Sequence, residues 1–509
     1  MKCVLEYLEK DVAICPDKVA AVDENGQCTY RELYTAAKKL GTKIADYAGT
    51  ATPVAVFMDK SILTLESFMG ILYAGCFYTL IDPSFPNERI KNILQILNPQ
   101  VIITKDACLE KLKECEYNGE TLLAENILAL NQCNIDEDKL ISIQNSQIDT
   151  DPVYCNFTSG STGVPKGVLI SHRSVIDFID CFTDIFRISE KDVIGNQAPF
   201  DFDVSVKDIY SSLKVGGTLV IIPKAYFMFP NRVMDMIEKN KVTTLIWAVS
   251  ALCLLSRLHG LKYKAPDSIN KIMFSGEQMP VKQLNIWKSY YPDAKYVNLY
   301  GPTEITCNCT YHILDREYGD EERIPIGLPF PNERVILLSE TENKIDKAVT
   351  GVPGEICVSG TAVGLGYYGN QKMTDRAFTR NPLNNMYNEI IYHTGDMAYW
   401  GEDGLLYFSG RKDFQIKHMG HRIELEEIES VLGGVSLVEQ ACCFFDEKRG
   451  KIVACYVGSP DKKEIIRMMK EKVPDYMVPN ILVCMEELPI TKNGKTDRRA
   501  LMEVYKTMR

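Results

Sequence analysis

The run Asn156-Phe157-Thr158-Ser159-Gly160-Ser161-Thr162-Gly163-Val164-Pro165-Lys166-Gly167 is rich in small hydroxyls and glycines. Such glycines let backbone N–H groups turn inward on a phosphate, and Lys166 adds positive charge. A Walker loop needs Gly-Lys followed by Ser or Thr; here the lysine comes before its glycine. Taken alone, the run reads equally well as a flexible surface loop. A second group is Asn298-Leu299-Tyr300-Gly301-Pro302-Thr303-Glu304. Tyr300 offers an aromatic face to a base, Thr303 a hydroxyl to a phosphate oxygen, and Glu304 a hard oxygen ligand to Mg²⁺. The plainer alternative is a β-turn with a solvated glutamate. Tyr392-His393-Thr394-Gly395-Asp396 and Gly410-Arg411-Lys412-Asp413 form a third group. A carboxylate on a tight turn takes both hydroxyls of a ribose, and the planar fork of Arg411 reaches ribose or phosphate. Last, Asn493-Gly494 is a turn signal that presents Lys495 at a loop tip. A lysine there is most often only solvated.

These residues need elements to hold them. Short β-branched runs at Pro53–Met58, Val101–Thr104, Leu219–Pro223 and Thr243–Val249 read as buried strands. Helical patterns at Glu88–Leu97, Pro230–Lys239 and Val281–Tyr290 lie between them, each opened by a turn signal. Alternation of this kind implies parallel sheets covered by helices on both faces. Met1–Glu24 alternates charged and apolar residues as an amphipathic helix does. From about Gly351, segments such as Gly351–Val358 and Gly404–Phe408 look like short strands joined by glycine turns. A boundary near 410 leaves a C-terminal unit of about 100 residues, a common domain size.

Composition narrows the function classes. The chain has 509 residues, 46% hydrophobic and 25% charged, which is a globular mix long enough for two or more packed units. Its net charge of −11 argues against a nucleic-acid or anionic-membrane binder. No run of 18 uncharged apolar residues is present, so membrane insertion is not expected. The 17 cysteines are scattered without zinc-site spacing and read as reduced thiols of a cytoplasmic protein.

In this order and spacing, the four groups resemble the adenylate-forming superfamily of amino-acid adenylation domains, acyl-CoA ligases and luciferases, from about residue 5 to 503. Tyr78-Thr79-Leu80-Ile81-Asp82-Pro83, Pro86-Asn87-Glu88-Arg89-Ile90 and Phe202-Asp203-Val204-Ser205-Val206 look like its amino-acid-activating branch. Phe414–Lys417, Arg422–Glu429, Asp208-Ile209-Tyr210 and Met273-Phe274-Ser275-Gly276-Glu277 look like D-alanine–carrier-protein ligases. Those ligases usually carry Cys before the Gly-Glu, where this chain has Ser275. Lys207 stands where the branch often places an apolar pocket residue. It is read as pointing to solvent, with an acidic substrate side chain as its alternative partner.

The resemblance implies an α/β fold: a large N-terminal domain, 1–410, with parallel-type sheets between helices plus a distorted β-barrel, and a small mobile α+β domain, 411–509. It implies an AMP-forming ligase that uses ATP and Mg²⁺. Thr158, Ser159, Ser161, Thr162 and Lys166 would cradle the β- and γ-phosphates, Thr303 the α-phosphate, and Glu304 the metal. Asp396 would take the ribose with Arg411 nearby, Tyr300 beside Gly301 would stack on adenine, and Asn298 would reach its amino edge. Asp203 would hold the substrate ammonium, with a helix N-cap as its structural alternative, and Ser275 and Cys307 would complete the amino-acid pocket. Lys495 would bridge carboxylate and α-phosphate, then leave as the small domain swings about a hinge at Lys412 or Asp413. The acyl group would pass to the phosphopantetheine arm of a separate carrier protein, since the chain stops 14 residues after Lys495. D-alanine is the first substrate expected. Another amino acid serving a nonribosomal-peptide pathway is the alternative, and an acyl-CoA ligase fits less well, because it has no ammonium for Asp203.

Overall fold

The computed structural model describes residues 1–509 apart from 130–133, 161–163, 321, 342–343, 448, 491–495 and 509. Pro53–Phe57 and Val101–Thr104 are strands buried along their whole length. They pair in parallel inside a seven-stranded sheet ordered Gly366–Tyr367, Lys166–Ser171, Pro152–Thr158, Phe77–Leu80, Pro53–Phe57, Val101–Thr104, Glu120–Leu123. Cover on both faces is what allows such strands to be apolar at successive positions. A nine-stranded sheet carries Val193–Asn196, Thr218–Ile221, Thr244–Ala248, Lys271–Ser275 and Lys295–Tyr300 in parallel pairings.

The helices follow from periodicity and caps. Asn87–Leu97 buries Ile90, Ile93, Leu94 and Leu97 at helical spacing and stops at the left-handed Asn98. Pro230–Lys239 opens on its proline, and Val281–Tyr290 follows Pro280. The N-terminus differs from expectation. Leu5–Ile14 is helical, but Val19–Val22 is a strand beside Thr218–Ile221 and Gln27–Thr29. Pro16 breaks the helical run, and a β-branched segment then finds an open sheet edge.

Glu333–Thr341, Lys344–Lys347, Gly354–Gly360, Phe378–Arg380, Ile390–Trp400 and Leu406–Arg411 form a six-stranded antiparallel sheet, the half-barrel of the fold. Residue 410 falls near the end of its last strand, and Arg411 still pairs with Asp396. Beyond it come the hairpin Gln415–His418/His421–Glu424, the helix Leu425–Gly433, and a three-stranded sheet of Val438–Asp446, Lys451–Gly458 and Ile481–Met485. Ile428, Leu432, Ile452 and Met469 give this part its own core. The cysteines among the described residues are free. Among those residues no helix is long and apolar enough to cross a membrane.

Candidate functional site

Ser275, Tyr300 and Thr158 each end a strand, and Asp203 and Thr303 lie in the turns that follow strands. Carboxyl ends of strands are where open α/β sheets bind ligands. One cavity of about 80 Å³ there is lined by Thr158, Ser159, Asp203, Ser275, Gly301, Thr303, Cys307, Asp396 and Arg411. Asn298, Tyr300, Glu304 and Lys166 are not part of that lining. Ser161, Thr162 and Lys495 lie outside the described residues. A larger groove of about 870 Å³, lined among others by Glu333, Arg334, Tyr387 and Glu389, contains none of the residues singled out from the sequence.

Asp203 stands at the N-terminus of the helix Val204–Val215, yet its side chain makes no capping bond. Burial raises its carboxyl above the ordinary range, while Thr303 and Lys207 pull the other way. Cys307 Sγ donates to the Asp203 carbonyl at 2.9 Å. Thr306 and Cys307 both have left-handed φ, 51° and 74°. Such positions cost on the order of 1–3 kcal/mol each and persist only when neighbours over-determine them. The Thr306 hydroxyl, bonded to the Ala362 carbonyl at 2.7 Å, is one such restraint. Gly301 is required here: a Cβ would stand 2.4 Å from Asn308 Cα. Lys207 does not point to solvent as expected. It is fully buried, and its Nζ donates to Asn308 Oδ1 at 2.6 Å, because its helix turns this face toward the pocket wall.

At the other end, Glu304 is fully buried. It accepts from Tyr367 Oη at 2.8 Å and from Arg422 Nη1 at 2.7 Å, with Lys166 Nζ at 3.6 Å. Burial opposes its charge, but Arg422 and Lys166 hold the carboxyl far below the usual range. Ser159 Oγ donates to the Arg422 carbonyl at 2.7 Å, and the buried Thr158 hydroxyl has no partner among the described residues. Asp396 accepts from Tyr300 Oη at 2.5 Å and also from Arg411 Nη1. The Tyr300 ring faces Lys417 Nζ, 5.7 Å from its centroid. Asn298 Nδ2 is spent on the Pro325 carbonyl at 2.8 Å. Asp413 accepts from Arg411 Nε at 2.6 Å, and Lys412 Nζ lies 3.0 Å from Glu355 Oε2.

Sequence reasoning did not place Arg422, Lys417 or Glu424 in the site. They arrive on the hairpin Gln415–His418/His421–Glu424, which is seated over the phosphate-loop strands. Gly420 N–H donates to Glu277 Oε1 at 2.8 Å, and the buried Arg89 and Glu427 pair at 3.3 Å. His421 stacks on Tyr476 at 3.6 Å and meets the edge of Phe202, next to Asp203. Met419-Gly420 between the mixed polar and apolar runs Gln415–His418 and His421–Glu424 signals a hairpin, but nothing local says which surface it covers.

Residues 8–368 match the family model for AMP-binding enzymes, and residues 427–495 match the AMP-binding enzyme C-terminal domain. Bacitracin synthase 1 of Bacillus licheniformis is 32% identical over 99% of this chain, which spans only 9% of that protein. The share is similarly small, 14%, for surfactin synthase subunit 1 of Bacillus subtilis at 31% identity. Zwittermicin A synthase ZmaJ of Bacillus cereus is 31% identical, with 98% of this chain and 94% of ZmaJ covered. The Vibrio cholerae adenylation domain AlmE, solved in complex with glycyl-adenosine-5'-phosphate, superposes with a TM-score of 0.84 at 22% identity, over 100% of this chain and 98% of that one. NpsA-ThdA, an artificially fused adenylation–PCP di-domain from Klebsiella oxytoca, gives 0.80 at 21%, over 95% and 93%. At these identities the two structures speak for the fold, and the sequence matches speak for descent. Since those matches run nearly end to end, this chain belongs to the AMP-binding enzyme family, in its amino-acid adenylation branch.

Proposed function

We propose that this AMP-forming ligase joins the carboxylate of an amino acid to the α-phosphate of ATP, releases pyrophosphate, and passes the aminoacyl group to the phosphopantetheine thiol of a carrier protein in the cytoplasm. The observation that carries this is the gathering of Asp203, Ser275, Cys307, Thr303 and Asp396 around one cavity. A desolvated carboxylate at Asp203 pairs with an ammonium in a closed pocket. Asp396 takes the ribose hydroxyls, Tyr300 and Asn298 the adenine, and Thr303 the α-phosphate. Thr158, Ser159 and Lys166, together with Ser161 and Thr162, hold the β- and γ-phosphates. Lys495 bridges the two reacting anions. Positioning and charge neutralisation are the whole task when both reactants are anionic.

The buried, hydroxyl-flanked carboxylate of Glu304 suits Mg²⁺, which neutralises polyphosphate charge when bound. In the arrangement described, Arg422 supplies the positive charge at Glu304 instead. The cavity of about 80 Å³ is far below the roughly 300–1,000 Å³ of a small-molecule site. Adenylation therefore requires the hairpin to leave, and this seated form is the one suited to thiol transfer. We place the two working units at 1–410 and 411–509, with the hinge at Lys412 or Asp413.

For the substrate, the sequence resemblance favours D-alanine. The burial of Lys207 against Asn308, directly behind Asp203 and Cys307, favours a second reading, an amino acid with an acidic side chain. ATP–pyrophosphate exchange against D- and L-amino acids, β-alanine and aryl acids decides. D-alanine dominance supports the first and an acidic winner the second. Exchange with aryl acids alone would overturn the assignment of Asp203.

A further inference from the structure

One cluster in the six-stranded sheet has donor chemistry that the reading above does not use. Glu355 and Cys357 are two residues apart on Gly354–Gly360, and His393 on Ile390–Trp400 is the cross-strand partner of Cys357. His393 Nδ1 lies 3.4 Å from Cys357 Sγ and 3.2 Å from Glu355 Oε2. A single ring nitrogen thus faces a thiol and a carboxylate together. Its other nitrogen, Nε2, is 3.0 Å from Thr379 Oγ1, a contact that fixes the ring, as metal-ligating histidines are held through their other nitrogen. The remaining carboxylate oxygen, Oε1, accepts from Gly395 N–H at 3.1 Å, which leaves Oε2 to the cluster.

We propose that Cys357 Sγ, His393 Nδ1 and Glu355 Oε2 form a binding site for a thiophilic divalent cation of the zinc type. Tetrahedral zinc with bonds of about 2.0–2.3 Å sets neighbouring ligand atoms roughly 3.3–3.7 Å apart. The observed 3.2 and 3.4 Å are already close to that spacing, and all three donor atoms lie within 4.8 Å of one another. Sulfur and imidazole select zinc-type ions over Mg²⁺. Three protein ligands leave the fourth position to water. On binding, the Cys357 S–H bond breaks, a sulfur–metal bond forms, and one proton goes to solvent. Lys412 Nζ, 3.0 Å from the same Glu355 Oε2, is the cation that the metal displaces. None of these ligands belongs to the adenylation site, so the proposal stands whether or not the substrate assignment does.

The test is Co²⁺ titration of the full-length, reduced, chelator-treated protein. We expect a thiolate-to-cobalt absorption band that saturates at one equivalent, is displaced by Zn²⁺, and releases one proton per metal. Cys357→Ser abolishes the band, and His393→Gln weakens binding at least about tenfold, the low end of what a metal-site contact is worth. Lys412→Met, which removes the competitor, tightens it. Should Cys357→Ser fail to fold, His393→Gln and Lys412→Met carry the test. A titration with no band, a band that survives Cys357→Ser, or affinity unmoved by His393→Gln overturns the proposal.

Discussion

Replacing Arg422 by alanine tests whether the two parts of the chain compete with Mg²⁺-ATP for one carboxylate. Arg422 Nη1 is 2.7 Å from Glu304 Oε2, and neither side chain is more than 14% exposed. Removing one member of a buried pair costs about 3–5 kcal/mol when the other is left uncompensated. Here Lys166 at 3.6 Å and Tyr367 Oη at 2.8 Å remain. The loss is then nearer to that of one hydrogen bond to a charged group, about 1.5–3 kcal/mol. At 1.4 kcal/mol per decade, the seated arrangement loses roughly 10–150-fold in population against the open one. A ligand that binds only the open form gains apparent affinity as that form fills, up to the same factor. The variant should therefore bind Mg²⁺-ATP more tightly and keep pyrophosphate exchange, while transfer from the adenylate to a pantetheine thiol slows. Equilibrium binding, exchange and single-turnover thiol acylation measure the three quantities separately. Unchanged Mg²⁺-ATP affinity with intact transfer would refute the competition. An equal fall in exchange and transfer would assign Arg422 to the fold instead.

Asp203→Asn removes the charge expected to meet the substrate ammonium. It should raise the amino-acid KM about 10–100-fold, the worth of a charged hydrogen bond, and leave the KM for ATP alone; equal damage to both would make Asp203 structural. Lys495→Ala should slow adenylation about 10²–10⁴-fold, the scale of a transition-state contact, while ATP still binds, and near-normal exchange would remove it from the mechanism. Gly301→Ala drives a Cβ to 2.4 Å from Asn308 Cα and 2.7 Å from the Cys307 carbonyl, backbone that cannot swing aside. A cost of about 1–3 kcal/mol is expected in denaturant unfolding, and an unshifted midpoint would contradict the close packing of this turn. Burial holds His172 down to about 4, against 6.5 in its ordinary state. The unfolded chain therefore binds the extra proton between those values, and stability contributed by His172 is present above pH 6.5 and lost as pH falls toward 4, at about 1.4 kcal/mol per pH unit. His172→Asn should flatten that slope, and a wild-type minus variant difference that stays constant from pH 6.5 to 4.5 would sink the assignment.

Where local pattern and tertiary context agree, the sequence is enough. Pro230–Lys239 and Val281–Tyr290 carry turn signals at their starts and helical spacing within, and both form as read. Val19–Val22 fails as a helix because its fate depends on a strand 200 residues away, which no local window contains. In the site, residues at strand ends are readable because one short segment fixes each of them. Lys207 is not, because one position around the helix axis separates solvent from the pocket wall. Cys357, His393 and Glu355 escape a spacing search for the same reason: the sheet register brings them together, not their separation in the chain.

The pairing of the buried charges explains why the seated form exists at all. Lys166 and Arg411 are both largely buried, and unpaired buried cations cost several kcal/mol each. Each of them lies beside a carboxylate that the proposed function gives to another ligand: Lys166 beside Glu304, Arg411 beside Asp396. The hairpin adds Arg422 and Glu424 as a further pair, with Glu424 4.0 Å from Lys166. On the proposed function, the residues that would take the nucleotide and its metal are thus the ones that pair with each other in this arrangement. Nucleotide binding, as proposed, would then be an exchange of ionic partners. That is a reason for the hairpin to carry a cation and an anion together: Arg422 lies 2.7 Å from Glu304 and Glu424 4.0 Å from Lys166, so each meets a charge of opposite sign.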